Sequence, residues 1–356
     1  NSLELLPRLF VNAGDGKFVL KNGLPSIYAN VAKILPWDFD LDGDQDLFFG
    51  IRNTNKEYGS RPDSYIFVND GKGNFSEGIG SKTSIFKKMG MVRDACIADL
   101  DGGKKQDLIV VGDWMYPQII RFQGGRFEEV KTNLRAYSGF YGALHAADID
   151  KDGDQDLLLG NLGLNFNLKA DNKNEIKLFV KDFDGNGLVD KILTRSVDGL
   201  DKPVFLKREL IQQIVSLKKQ NLKHATYAGK TIYDLFDKKN LAGADVLKVS
   251  ELRSYIALNQ SNGKFDLKEF PQEVQWSCIN SITTDDLDGD GTLEIFMGGN
   301  NYNFNSNFTK LDANKGIGLK KLNGNYEIIP NQVTGYRIKG EVKKIDFINK
   351  TKGDKK

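Results

Sequence analysis

Apolar residues in this chain fall into short runs of four to six. Each run sits directly behind a dense group of acidic residues and ends near a glycine. The unit reads DFDLDGDQDLFFG at 38–50, DLDGGKKQDLIVVG at 99–112, DIDKDGDQDLLLG at 148–160, DFDGNGLVDKIL at 182–193 and DLDGDGTLEIFMGG at 286–299. Runs this short predict buried strands rather than helices. A second pattern alternates with the first: RLFVNAGDGKFV at 8–19, YIFVNDGKGNF at 65–75, QIIRFQGGRFEEV at 118–130, YIALNQSNGKFDL at 255–267 and GLKKLNGNYEII at 318–329. Each is an apolar strand, a Gly/Asn/Asp turn and an aromatic residue opening a second strand. Gly and Asn supply the positive φ that tight hairpins need, so these predict β-hairpins.

The acidic groups start at 38, 99, 148, 182 and 286, at intervals of 61, 49, 34 and 104 residues. Recurring hairpins at roughly this spacing predict an all-β fold, a radial array of small antiparallel sheets, that is, a β-propeller. A β-sandwich would not explain why the same loop chemistry returns once per unit. Residues 340–348 resemble the run-in to a further acidic group, and the strand at 8–19 could close the ring against it. We expect one domain over 1–356. Seven blades are favoured, with an irregular one in 186–286, and six is the alternative. Within the long interval, Leu206, Leu210, Ile214 and Leu217 recur at helical steps, with Pro203 near the start. Residues 203–243 therefore predict a mostly helical insertion, with a second short helix near Thr231–Lys238.

Charge sharpens the picture. The 356 residues carry 50 Lys+Arg against 48 Asp+Glu, a net +2 that argues against nucleic acid as a partner. The even balance hides segregation, because the aspartates crowd into the loops. Hydrophobic residues at 40 % with 22 Phe, 12 Tyr and 3 Trp exclude a disordered coil, and no apolar run reaches eighteen residues. Two Cys, Cys96 and Cys278, are too few for a disulfide framework and read as small core residues; two His leave little room for His-based zinc chemistry.

With positions counted from the first Asp, the first loop sets Asp38, Asp40, Asp42, Asp44 and Asp46 at alternate positions, with Gly43 at position 6. Five carboxylates in nine residues repel one another unless a cation neutralises them. Hard oxygen ligands at alternate positions around a glycine turn are calcium chemistry. The third loop repeats the set as Asp148, Asp150, Asp152, Asp154 and Asp156. The fourth has Asp182, Asp184, Asn186 and Asp190, and the fifth has Asp286, Asp288, Asp290 and Glu294. An EF-hand is excluded, because position 12 of the first loop is Phe49 rather than Glu and the flanks are strands. The second loop keeps Asp99, Asp101 and Asp107 but has Gly103 at position 5 and Lys104 and Lys105 at positions 6 and 7, so its own lysines would supply the neutralising charge. About four calcium ions are expected, with the second loop empty.

D-x-D-x-D-G-x-x-D-L followed by an apolar strand, alternating with V-N-D-G-x-G-x-F, resembles the FG-GAP/VCBS repeat proteins, a class that includes the integrin α-subunit propeller. GNLGLNFN at 160–167, LFVKDFDGNGLVD at 178–190 and MGGNNYN at 297–303 are similar to the large VCBS-repeat surface proteins of Bacteroidetes. The resemblance implies calcium in loops on one face of a disc and an adhesive or scaffolding role. It also implies a secreted or outer-membrane-surface location. The N-terminal NSLELLPRLF lacks a basic region followed by an apolar one, so either there is no signal peptide or it lies outside this chain, where any lipid anchor is also expected.

The expected function is thus a non-catalytic module that binds a protein or a glycan, with a polysaccharide lyase or hydrolase as the alternative. No G-x-S-x-G, H-E-x-x-H or G-x-x-x-x-G-K-[ST] motif occurs. Asn300, Asn301, Tyr302 and Phe304 form a segment whose amides and rings could recognise a sugar, and 135–145 is a second candidate. Trp37, Trp114 and Trp276 read as core or channel residues. His145 reads as a packed strand residue.

Overall fold

The computed structural model describes residues 6–54, 58–78, 80–103, 105–219, 221, 223–303 and 310–348. Among the described residues, strands take 41 % and helices 13 %, in several antiparallel sheets, none of which closes on itself. A short hairpin comes first, β1 (Leu9–Asn12) with β2 (Phe18–Lys21). A four-stranded meander follows: β3 (Ala29–Trp37), β4 (Asp46–Thr54), β5 (Tyr65–Asn69) and β6 (Phe75–Glu77). The next sheet holds β7 (Met91–Ala98), β8 (Asp107–Met115), β9 (Gln118–Gln123) and β10 (Arg126–Val130), with the two-residue β11 (Gly139–Phe140) added beside β8.

The chain then starts a third sheet with β12 (Ala143–Ala147) and β13 (Asp156–Gly160) and leaves it half-built. It first makes a complete sheet in the order β16-β15-β14-β17, from β14 (Ile176–Lys181), β15 (Asp190–Val197), β16 (Leu200–Pro203) and β17 (Asp245–Val249). It returns to finish the third sheet with β18 (Tyr255–Asn259) and β19 (Phe265–Glu269), β13 pairing β18 in antiparallel register. The last sheet runs β20 (Ile279–Asp285), β21 (Glu294–Gly299), β22 (Ile317–Leu322) and β23 (Asn325–Ile329). The uneven loop spacing therefore comes from one sheet being inserted between two strands of another. Among the described residues there are five sheets of four or more strands and one separate hairpin, which supports neither seven blades nor six.

The chain divides into two compact units. One comprises Asn1–Ile97, Gln106–Phe140 and Leu168–Glu251; the other comprises Ala98–Lys105, Tyr141–Asn167 and Leu252–Lys356. In the first, Trp37, Phe48, Phe86, Leu108 and Ile120 are buried together. In the second, Leu158, Ile256, Ile279, Ile295 and Leu319 form the core. The glycines that end two of the apolar runs have a steric reason. A Cβ on Gly112 would lie 2.0 Å from the Met91 carbonyl oxygen, and one on Gly299 would lie 1.7 Å from that of Cys278. Both are close backbone approaches that a side chain forbids.

The helical insertion is made of short pieces: α1 (Lys207–Gln213), a 3-10 turn at Val215–Lys218, α2 (His224–Ala228), α3 (Ile232–Leu235) and α4 (Lys238–Leu241). Leu210, Ile214, Leu217, Ile232 and Leu235 bury against Phe179 of β14 and Ile192 of β15. Two expectations shift here. Pro203 ends the edge strand β16, opposite Thr194, instead of opening a helix, and Leu206 lies exposed ahead of α1. The stretch near Thr231–Lys238 breaks in two because Asp237 caps a new turn, accepting a hydrogen bond from the Asn240 amide at 2.7 Å.

Candidate metal-binding loops

Each acidic loop links the run-in strand of a sheet to the strand behind it. The loops share one backbone. Position 4 is left-handed in all five: Leu41 (φ 64°), Gly102 (φ 67°), Lys151 (φ 69°), Gly185 (φ 75°) and Gly289 (φ 76°). Position 6 is a left-handed glycine in four of them: Gly43, Gly153, Gly187 and Gly291. This is why the motif requires glycine there. Leu41 and Lys151 hold a conformation that L-residues rarely take, so the loop geometry overrides local preference at those points.

The aspartates fold the loops as well as crowd them. In loops three, four and five the first Asp accepts backbone bonds from positions 4 and 6: Asp148 from Lys151 N and Gly153 N, Asp182 from Gly185 N and Gly187 N (and also from Asn186 N), and Asp286 from Gly289 N and Gly291 N. The acid at position 9 opens the following strand and ties the loop down. Asp156 accepts from Ile149 N at 2.9 Å and from Asn259 N of β18 at 2.7 Å. Asp190 accepts from Phe183 N and Glu294 from Leu287 N, both at 2.9 Å, and Asp46 accepts from Asn69 N at 2.8 Å.

Four groups of carboxylate oxygens result, each within 4.8 Å: Asp38, Asp40 and Asp42; Asp148, Asp150 and Asp156; Asp182, Asp184 and Asp190; Asp286, Asp288 and Asp290. They fall in the four loops expected to hold metal. Among the described residues, the second loop gathers no such group. Among the described residues, seven buried side-chain polar atoms lack a hydrogen-bond partner, and five of them are carboxylate oxygens of these loops: Asp38 Oδ1, Asp44 Oδ1, Asp46 Oδ2, Asp154 Oδ1 and Glu294 Oε1. Asp46 is 1 % and Glu294 3 % exposed. A buried carboxylate oxygen without a donor is costly, so these atoms fit a cation that completes the loop.

The electrostatics agree. Burial, reinforced by Asp40, Asp44 and Asp42, pushes the Asp46 carboxyl up to about 7, against the bond from Asn69 N. Burial also raises Asp154, next to Asp152 and Asp156, to about 6, and Asp156 itself to about 6 despite its two backbone bonds. Asp44, Asp190 and Glu294 shift upward, again chiefly through burial. Asp182 moves down, because the Gly187 N–H and its neighbours stabilise its charge. Asn186 contributes differently: its Oδ1 accepts from Leu188 N at 2.8 Å. Asp152 does the same for Asp154 N at 3.1 Å.

In loop two, Asp107 finds its cation from an unexpected direction. Asp107, fully buried, takes a two-pronged ion pair from Arg121 of β9, Nε–Oδ1 2.8 Å and Nη2–Oδ2 2.7 Å. The cation is thus on the neighbouring strand; Lys104 lies outside the described residues. The local motif carries no sign of Arg121, because only strand pairing brings it to Asp107.

Residues 99–159 match the FG-GAP-like repeat. The match takes in the second and third acidic loops. A comparison with curated proteins returns no match.

The suggested sugar-binding segment is largely structural. Asn300 is 2 % exposed and adopts φ 78°. Its Oδ1 accepts from Asn314 N and the Ser277 hydroxyl, both at 2.9 Å, and its Nδ2 donates to the carbonyls of Asn314 (2.6 Å) and Gly340 (2.9 Å). Its amide is fully spent inside the fold. Asn301 bridges Leu311, and Tyr302 is half-exposed with Lys310 Nζ 5.9 Å from its ring centre. Phe304 lies outside the described residues. In the other candidate segment, Arg135, Ala136 and Ser138 line a cavity of about 600 Å³ with Trp114 and Tyr116, but Arg135 is paired with Glu129. Trp37 and Trp114 are buried, whereas Trp276 is 45 % exposed. His145 Nε2 lies 3.0 Å from the Thr284 hydroxyl. Cys96 and Cys278 are free thiols, the second one buried.

Proposed function

We propose that this chain is a calcium-stabilised β-propeller module of the FG-GAP type, serving as a non-catalytic binding surface for a protein or glycan at the cell exterior. One observation carries the metal part: four loops of common backbone each converge three carboxylates, and buried carboxylate oxygens in three of them lack any donor. Calcium suits hard oxygen ligands on a flexible loop better than a transition ion, which would seek imidazole or thiolate. Asp38, Asp40 and Asp42 would hold the ion of loop one, Asp148, Asp150 and Asp156 that of loop three, and Asp182, Asp184 and Asp190 that of loop four. The ion's role is structural. It lets like charges share one turn and so fixes the start of the next strand.

The propeller reading rests on the repeat match at 99–159 and on successive four-stranded antiparallel sheets that reuse one loop. The surface role rests on the repeat class and on a chain whose acids are engaged in folding rather than paired for hydrolysis. Among the described residues, no helix is long and apolar enough to cross a membrane.

Calorimetric titration of chelator-treated protein with CaCl₂, together with melting in EDTA and in millimolar calcium, tests the reading. Bound calcium and a melting temperature raised by several degrees are expected. Absence of binding and identical melts in the two buffers would refute it.

A further inference from the structure

Four sheets share a register beside the acidic loop. The residue after position 9 pairs across to the next strand as Leu47 with Phe67, Leu108 with Ile120, Leu157 with Ala257 and Ile295 with Leu319. One step further along the partner strand stand Val68, Arg121, Leu258 and Lys320. This position looks onto the loop: Val68 lines a cavity with Asp40, and Lys320 lines one with Asp288 and Glu294. Where the loop keeps its carboxylates and the position is apolar, nothing from the strand neutralises them. Where the position is basic, the strand does.

Loop two is the completed case, with Arg121 clamped on Asp107. Loop five is the intermediate one. It retains the converging set Asp286, Asp288 and Asp290, yet the Lys320 ammonium bonds both Asp288 and Asp290, the latter at 2.9 Å. The contact favours the charged ammonium and the charged Asp290, so Lys320 is shifted upward and Asp290 downward. Glu294 Oε1 remains buried without a donor in the same cavity, so the ammonium satisfies the loop only in part.

We propose that Lys320 is the resident cation of the fifth loop: its ammonium holds Asp288 and Asp290 together, and a divalent ion enters only by displacing it. The inference rests on the reading of loops one, three and four as calcium sites. It predicts a functional split. Three loops need calcium to hold their shape, whereas loop five holds it without metal and binds calcium more weakly, because the incoming ion must first break two charge-assisted bonds.

The test is calorimetric titration of the full chain with CaCl₂, wild type against Lys320→Leu, which installs the side chain found at 258. Wild type should bind three ions in one affinity class. Lys320→Leu should bind a fourth, with loop-five affinity raised at least tenfold. In EDTA the variant should melt below wild type, and calcium should erase the difference. Lys320→Met, which keeps most of the stem, serves if Lys320→Leu does not fold. An unchanged number of ions and unchanged affinities in a folded variant overturn the proposal while leaving the calcium reading intact. Four equivalent ions bound by wild type overturn it as well. If neither protein binds calcium, both readings fall.

Discussion

Replacing Asn300 by glycine isolates what its side chain does. The backbone at this position has φ 78°, a conformation glycine adopts without strain, so only the amide is lost. Four bonds vanish with it: those with the Asn314 N–H, the Asn314 carbonyl, the Gly340 carbonyl and the Ser277 hydroxyl. Ser277 is 1 % and Asn314 5 % exposed, so water does not readily replace the lost partner. At about 1 kcal/mol net for each bond, the loss is roughly 4 kcal/mol, to which the unfolded-state freedom of glycine adds up to about 1 kcal/mol. For a unit of this size that lowers the melting temperature by about 10 °C or more. Urea denaturation and thermal melts in calcium buffer measure it. Asn300→Ala should be worse still, because alanine resists positive φ. A loss below about 1 kcal/mol in Asn300→Gly would show that the amide is not a staple and would return it to the pool of ligand-binding candidates.

Two further predictions follow from the loops. Arg121→Leu leaves the buried Asp107 carboxylate without its guanidinium and should cost about 3–5 kcal/mol, equally in EDTA and in calcium. Adding Asp107→Asn should restore much of that, and a loss that calcium rescues would show metal in loop two. The second concerns pH. Asp46 is raised to about 7, and Asp154 and Asp156 to about 6, so the folded chelated protein holds more protons than the unfolded chain in this range. Their contribution is therefore fully present below the ordinary carboxylate value and is lost as pH rises through 6 to 7. In EDTA the melting temperature should climb on going from pH 8 to pH 5.5, and calcium should flatten that slope by taking the place of the protons. A melting temperature that falls steadily over the same interval in EDTA would contradict the buried-carboxylate assignment.

The recurring loop was legible because its parts are local. Alternating acids, a glycine at position 6 and an apolar run are contiguous, and the backbone that demands them closes within nine residues, as the matching bonds of Asp148, Asp182 and Asp286 show. The hairpins were legible for the same reason, since their turns carry their own φ requirements. The order in which the sheets are built was not. Nothing in the spacing of 148, 182 and 286 reveals that β13 waits for β18 while a whole sheet is built between them, because strand pairing is decided by long-range burial rather than by neighbouring residues. The cations were equally hidden. Lys320 and Arg121 look like ordinary strand residues until pairing sets them beside carboxylates more than ten residues away in sequence. Asn300, placed by its composition among ligand-binding amides, turned out to be consumed by the fold. Residue chemistry within a loop thus follows from the chain itself, but which charges meet and which polar groups remain unsatisfied depends on packing across strands.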